Sequence, residues 1–132
     1  MNESNADRAA VTATDAPAAI GPYSQAIGHG GLLFCSGQLP LEAGSGELVG
    51  ESPGEETTKC LENLGAICRA AGTELGRAVR LTVYTTRLEA FAEINEAYAA
   101  FFDDDPPARV AIGVAALPKG ADVEIDAIVA LT

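Results

Sequence analysis

The sequence predicts an α+β domain: a single mixed sheet with two helices packed on one face. Three observations carry that expectation. Between Pro106 and Thr132 two runs alternate in side-chain character with a period of two, joined by the turn residues Leu117-Pro118-Lys119-Gly120. Two stretches, opening near Ser52 and Thr86, place apolar residues at helical spacing. Ala26-Ile27 and Leu32-Leu33-Phe34-Cys35 flank Gly28-His29-Gly30-Gly31, the composition of a β-hairpin.

The elements follow in chain order. Met1 to about Ala10 is polar and charged and reads as a flexible tail, leaving 11–132 as one domain. Val11–Thr14 reads as a short strand, and Asp15-Ala16-Pro17 and Gly21-Pro22 are turn chemistry. The hairpin comes next, and then a Gly- and acid-rich surface loop from Glu42 to Gly50. Ser52-Pro53-Gly54-Glu55 opens the first helix with a capping serine, Pro at the first position and Glu three residues on. Its stripe is Cys60, Leu61, Leu64, Ile67, Cys68 and Ala71, and Gly72 ends it. Val79, Leu81 and Val83 give a strand. Thr86-Arg87-Leu88-Glu89 has the pattern of a second capping box, before a helix carrying Phe91, Ile94, Tyr98, Phe101 and Phe102. Asp103 to Pro107 closes that helix. The final strand becomes apolar on both faces at Ile128-Val129-Ala130-Leu131, and no third helix remains to cover the second face. A further copy of the chain is the expected cover.

Composition narrows the function classes. Nineteen acids against eight Lys and Arg give a net charge of −11, which argues against nucleic acid as a partner. No apolar run reaches the ~20 residues of a membrane span, and no secretion signal is evident at the N-terminus. Cys35, Cys60 and Cys68 are an odd count without metal spacing, and the single histidine, His29, sits in a turn, so no metal site is expected. A reduced, cytoplasmic setting fits.

Five residues stand out chemically. Arg109 shares a strand face with Ala111 and Gly113; it either snorkels to water or stands beside a space fit for a small anion. Glu124 enters a buried strand, where a carboxylate needs a partner or changes its pKa, or else it is an edge acid. Tyr23 is held in a stiff Gly-Pro loop, for packing or for a site. Gly37 provides either a tight bend or room for a ligand against the backbone. Asn95 falls on the apolar stripe of the second helix, where its amide must bond backbone or a ligand.

Several of these residues sit in motifs. Ala19-Ile20-Gly21-Pro22-Tyr23-Ser24-Gln25-Ala26, Ser36-Gly37-Gln38-Leu39-Pro40, Ile94-Asn95-x-x-Tyr98-x-x-Phe101-Phe102, Pro107-Ala108-Arg109, Val114-Ala115-Ala116-Leu117-Pro118 and Val123-Glu124-Ile125-Asp126-Ala127 together resemble the RidA/YjgF family of reactive-intermediate deaminases. The resemblance runs from about Thr12 to Ala130. It implies a chorismate-mutase-like fold assembled as a homotrimer with pockets between subunits. It implies cofactor- and metal-independent hydrolysis of 2-imino acids and their enamine tautomers, such as 2-aminoacrylate and 2-iminopropanoate, to 2-keto acids plus ammonia. That activity clears metabolites that damage pyridoxal-phosphate enzymes. By position, Arg109 corresponds to the residue gripping the substrate carboxylate and Glu124 to the one placing water and shuttling protons. Tyr23, Gly37 and Asn95 correspond to pocket residues. Many close members carry Cys where this chain has Ala111, a change that would remove a thiol and widen the pocket. The rival reading is a non-catalytic trimer that binds a keto acid or amino acid. An RNA-cleaving activity, also ascribed to family members, fits poorly with so acidic a chain.

Overall fold

The alternation of the last third becomes the centre of the molecule. The computed structural model describes residues 8–132. Its strands are β1 (Ala9–Val11), β2 (Ala26–His29), β3 (Leu32–Gln38), β4 (Ala78–Thr85), β5 (Ala108–Gly113) and β6 (Val123–Ala130); its helices are α1 (Pro53–Ala70) and α2 (Phe91–Ala99). The strands form one sheet in the order β1-β2-β3-β6-β4-β5. Only β4 and β5 run parallel, because α2 connects them; the other neighbours are antiparallel.

The period of two settles which residues form the core. Val123, Ile125, Ala127 and Val129 of β6 are buried beneath the helices, with Leu33 of β3 and Leu81 and Val83 of β4. Helix α1 answers with Cys60, Leu61, Leu64, Ile67 and Cys68, and α2 packs Ile94 and Tyr98 beside them. Each fully buried Leu or Ile contributes roughly 1.5–3 kcal/mol over its exposed state. Among the described residues no layer covers the opposite face of the sheet. There Phe34, Val110 and Ile112 remain 41%, 39% and 41% exposed.

Several boundaries differ from the sequence expectation. Strand β1 begins at Ala9, inside the segment read as a tail, because Ala9 and Ala10 pair with Gly28 and Ile27; Thr12–Thr14 are not strand, and residues 1–7 lie outside the described residues. Ser52 caps α1 as anticipated, accepting from the Glu55 amide at 3.1 Å, but Glu55 reaches back to the Glu51 amide instead of to Ser52. Gly72 follows the C-cap with a φ of 85°. The second capping box does not form. Thr86 donates its hydroxyl to Asp122 at 2.6 Å, and a 3-10 turn at Leu88–Ala90 delays α2 to Phe91. Helix α2 also ends at Ala99, with Phe101 and Phe102 closing onto Tyr98 and Ala99 carbonyls. The Gly- and acid-rich loop is tighter than expected: Leu41 and Leu48 bridge across it, and Glu42 bonds the Gly44 and Ser45 amides.

Candidate active site

One groove is built around Glu124, on the uncovered sheet face. Strand β3 is irregular between Cys35 and Gln38, and Gly37 lies within that irregularity. The carboxylate of Glu124 occupies the space a side chain at residue 37 would fill; a Cβ there would collide with Oε2. Any larger residue at this position would therefore force the Glu124 side chain to move. The groove measures about 560 Å³ and is lined by Ile20, Tyr23, Gly37, Leu39, Lys119 and Glu124, among others. Burial pushes the Glu124 carboxyl above its ordinary range, and the charge of Asp126 pushes it the same way. Among the described residues no ion pair involves Glu124.

The stiff loop read from its prolines and glycines does hold Tyr23. Gly21 adopts a φ of 127°, open to glycine, and the Tyr23 amide closes a tight turn onto the Gly21 carbonyl at 2.9 Å. The ring is 51% exposed at the groove and is not a packing tyrosine.

A second hollow, about 510 Å³, is lined by Arg109, Asn95, Tyr98, Phe102, Asp103 and Pro107, among others. Arg109 Nη1 donates to Asn95 Oδ1 at 2.6 Å. The guanidinium carbon lies 5.3 Å from the Phe91 ring centre and 4.9 Å from that of Tyr98. Two ring faces and an amide thus hold the cation in one orientation. Two expectations are corrected here. Asn95 is exposed, one position off the buried Ile94–Tyr98 stripe, and its amide serves Arg109. The space beside Gly113 is filled by Leu88, 3.4 Å from where a Cβ would stand, and Ala111 packs against the core without lining either hollow.

The five residues therefore fall into two groups. Arg109 pairs with Leu81 across β4–β5, so it points to the helix side of the sheet; Glu124 pairs with Tyr84 and points to the uncovered side. Strand β4 stands between their strands, which adds a lateral offset of about 10 Å. One chain does not bring Arg109 and Asn95 together with Tyr23, Gly37 and Glu124.

Three supporting residues escaped sequence reasoning. Buried Glu56 on α1 accepts the Asp122 and Val123 amides at 2.8 and 3.1 Å, fixing the backbone next to Glu124. Buried Asn63 donates to the Leu39 and Leu41 carbonyls and fixes the chain after Gly37. Buried Gln25 binds Ala13 and Pro17 from inside the Tyr23 loop. The only advance signal was a polar residue at a helix stripe or loop exit.

Fold and site together define a class: an α+β domain with, among the described residues, one sheet face uncovered, an oriented arginine on one side and a carboxylate outside any ion pair on the other. The family model described as Endoribonuclease L-PSP matches residues 13–131, and the chain belongs to that family, the RidA/YjgF family. It is 52% identical to the RutC family protein y4sK of Sinorhizobium fredii, over 92% of this chain and 97% of that one. It is 45% identical to a mouse protein named 2-iminobutanoate/2-iminopropanoate deaminase, over 92% and 90%. The crystal structure of RidA from the Antarctic bacterium Psychrobacter sp. PAMC 21119 superposes with a TM-score of 0.89 at 41% identity, covering 93% of this chain and 99% of that chain. No described helix is long and apolar enough to cross a membrane.

Proposed function

We propose that this chain hydrolyses 2-imino acids and their enamine tautomers to 2-keto acids plus ammonia, at a site completed between two copies in a homotrimer. The observation that carries the reading is Glu124, an unpaired carboxylate set over Gly37 in a groove large enough for a small acid. The oriented Arg109 adds the complementary half, since a guanidinium fork suits a carboxylate better than an ammonium does. The deaminase name of the mouse relative supports the same chemistry.

The roles follow from chemistry. Arg109 holds the substrate carboxylate, with Asn95 fixing its plane, while Tyr23 and Gly37 shape the groove. Water attacks the imine carbon as the C=N electron pair moves to nitrogen; Glu124 takes the water proton and passes it to that nitrogen. In the second step Glu124 relays the hydroxyl proton to the amine as C=O forms and C–N breaks, releasing ammonia. Imines hydrolyse unaided, so positioning supplies most of what is required. No cofactor enters these steps.

The test is an amino-acid oxidase that generates imines from a panel of amino acids, with imine decay followed with and without the protein. Arg109→Ala is expected to lower kcat/KM by about a hundredfold or more, and Glu124→Gln to lower kcat with little change in KM. Turnover unchanged in both variants overturns the assignment. Thermal stabilisation by 2-oxobutyrate without imine decay would instead give the binding-protein reading.

A further inference from the structure

A second acid shares the uncovered face with Glu124. Asp126 lies two residues along β6, so both side chains leave the sheet on the same side, roughly 6.5–7 Å apart along the strand. Tyr84 on β4 stands directly opposite Glu124 in the β4–β6 register, yet its hydroxyl does not serve that residue. It donates to Asp126 Oδ2 at 2.8 Å. A phenol donating to a carboxylate stabilises the ionised form. The Asp126 carboxylate is thus fixed in place by Tyr84, while the acid beside it has neither a cation nor a donor within reach among the described residues.

We infer that Tyr84 and Asp126 act as a positioning pair for Glu124: the Tyr84 hydroxyl fixes the Asp126 carboxylate two residues along β6 on the same sheet face, where its charge bears on the proton relay of Glu124. This deepens the imine-hydrolysis reading and rests on it. The relay needs a group that both accepts and donates a proton near neutral pH, and an isolated exposed glutamate is a poor donor there. Burial moves Glu124 away from that behaviour, and the neighbouring like charge adds to it without touching the substrate.

Within one chain, and beside burial, Asp126 is the acid on the same sheet face as Glu124; Glu56 is engaged from the helix side with the Asp122 and Val123 amides. Strand β3 brings Ser36, Gly37 and Gln38, none of which titrates. Tyr23 and Lys119 share the groove, but Lys119 Nζ is turned to the Gly46 carbonyl at 3.3 Å. Cys60 on α1 and Cys35 on β3 are buried thiols with no negative charge to add at neutral pH, and Cys60 donates to the Val123 carbonyl. Strand β4 contributes Tyr84 itself.

The experiment uses the full chain with ¹³C-labelled Glu and Asp, following the Glu124 carboxyl carbon by NMR titration beside the pH dependence of imine hydrolysis. In Asp126→Asn the amide oxygen still accepts from Tyr84, so shape is kept and charge is lost. The Glu124 midpoint is expected to fall by at least about half a pH unit, with the rate profile moving by the same amount. Tyr84→Phe is expected to shift both in the same direction by less, and it serves where Asp126→Asn does not fold. A midpoint that stays at its wild-type position in the folded variants overturns the pair. A midpoint that moves without the rate profile overturns its part in the reaction. If the wild-type chain hydrolyses no imine, the parent reading fails; a Glu124 midpoint that still falls in Asp126→Asn then shows that failure to be separate from the pair's electrostatics.

Discussion

Gly37 is the residue at which space decides most. Its missing side chain is the room that the Glu124 carboxylate fills. Gly37→Ala is therefore expected to displace Glu124 and lower imine hydrolysis about tenfold or more while the far-UV circular dichroism stays native. Glu56 gives a pH-dependent counterpart. Burial raises its carboxyl above the ordinary range, although the Asp122 amide pulls the other way. The folded chain thus favours protonated Glu56: stability from this group rises as pH falls through its folded titration and levels off below the unfolded one. Glu56→Gln keeps an oxygen for the two amides and removes the charge. Its melting temperature is expected to exceed wild type at about pH 8 and to match it near pH 4, read from melts across that range. Such residues also mark where sequence reasoning stopped. Arg109 and Glu124 were visible because Arg109 shares a strand face with Ala111 and Gly113, and Glu124 enters a strand that turns apolar on both faces. Glu56, Asn63 and Gln25 were not, because their partners are backbone groups 8 to 67 positions away, which no local pattern encodes. Asn95 was misplaced by one helical position, enough to move it from the buried stripe to the edge where Arg109 lies.

Among the elements, the strands and α1 were readable because their periodicity and caps agree with the packing. Helix α1 has a working N-cap, so Ser52→Ala is expected to cost about 1 kcal/mol in chemical denaturation. Its buried stripe carries more: Leu64→Ala is expected to cost about 2–5 kcal/mol in the same measurement. Helix α2 was less readable. Thr86 has the sequence of a cap, but Asp122 lies close enough to claim its hydroxyl, and tertiary contact overrides the local pattern. That competition also ties the start of β6 to the end of β4, since the Thr86 amide bonds the Asp122 carbonyl at 3.1 Å. With Glu56 on its other side, the segment before Glu124 is held from two elements at once. The groove thus inherits its rigidity from the core.

At the scale of the whole molecule, the placement of Arg109 and Glu124 on opposite sheet faces is the feature with most bearing on the proposed activity. Under the two-copy proposal, Arg109→Ala and Glu124→Gln chains are each strongly impaired alone. Refolded together they are expected to recover up to a fraction of wild-type turnover, because some interfaces then join an intact arginine to an intact glutamate. Mixtures that stay as impaired as their components, with subunit exchange shown by mass spectrometry, would place the site within one chain. The sequence made the uncovered face legible through Ile128 to Leu131, but the sidedness of Arg109 depends on the β4–β5 register, which becomes visible only in the sheet. A catalyst assembled in this way has its own dosage rule. Under the same proposal, polypeptide leaving the ribosome would be silent until it meets its neighbours, so below the assembly threshold output would climb more steeply than the amount of chain made, and expression level itself would become the throttle.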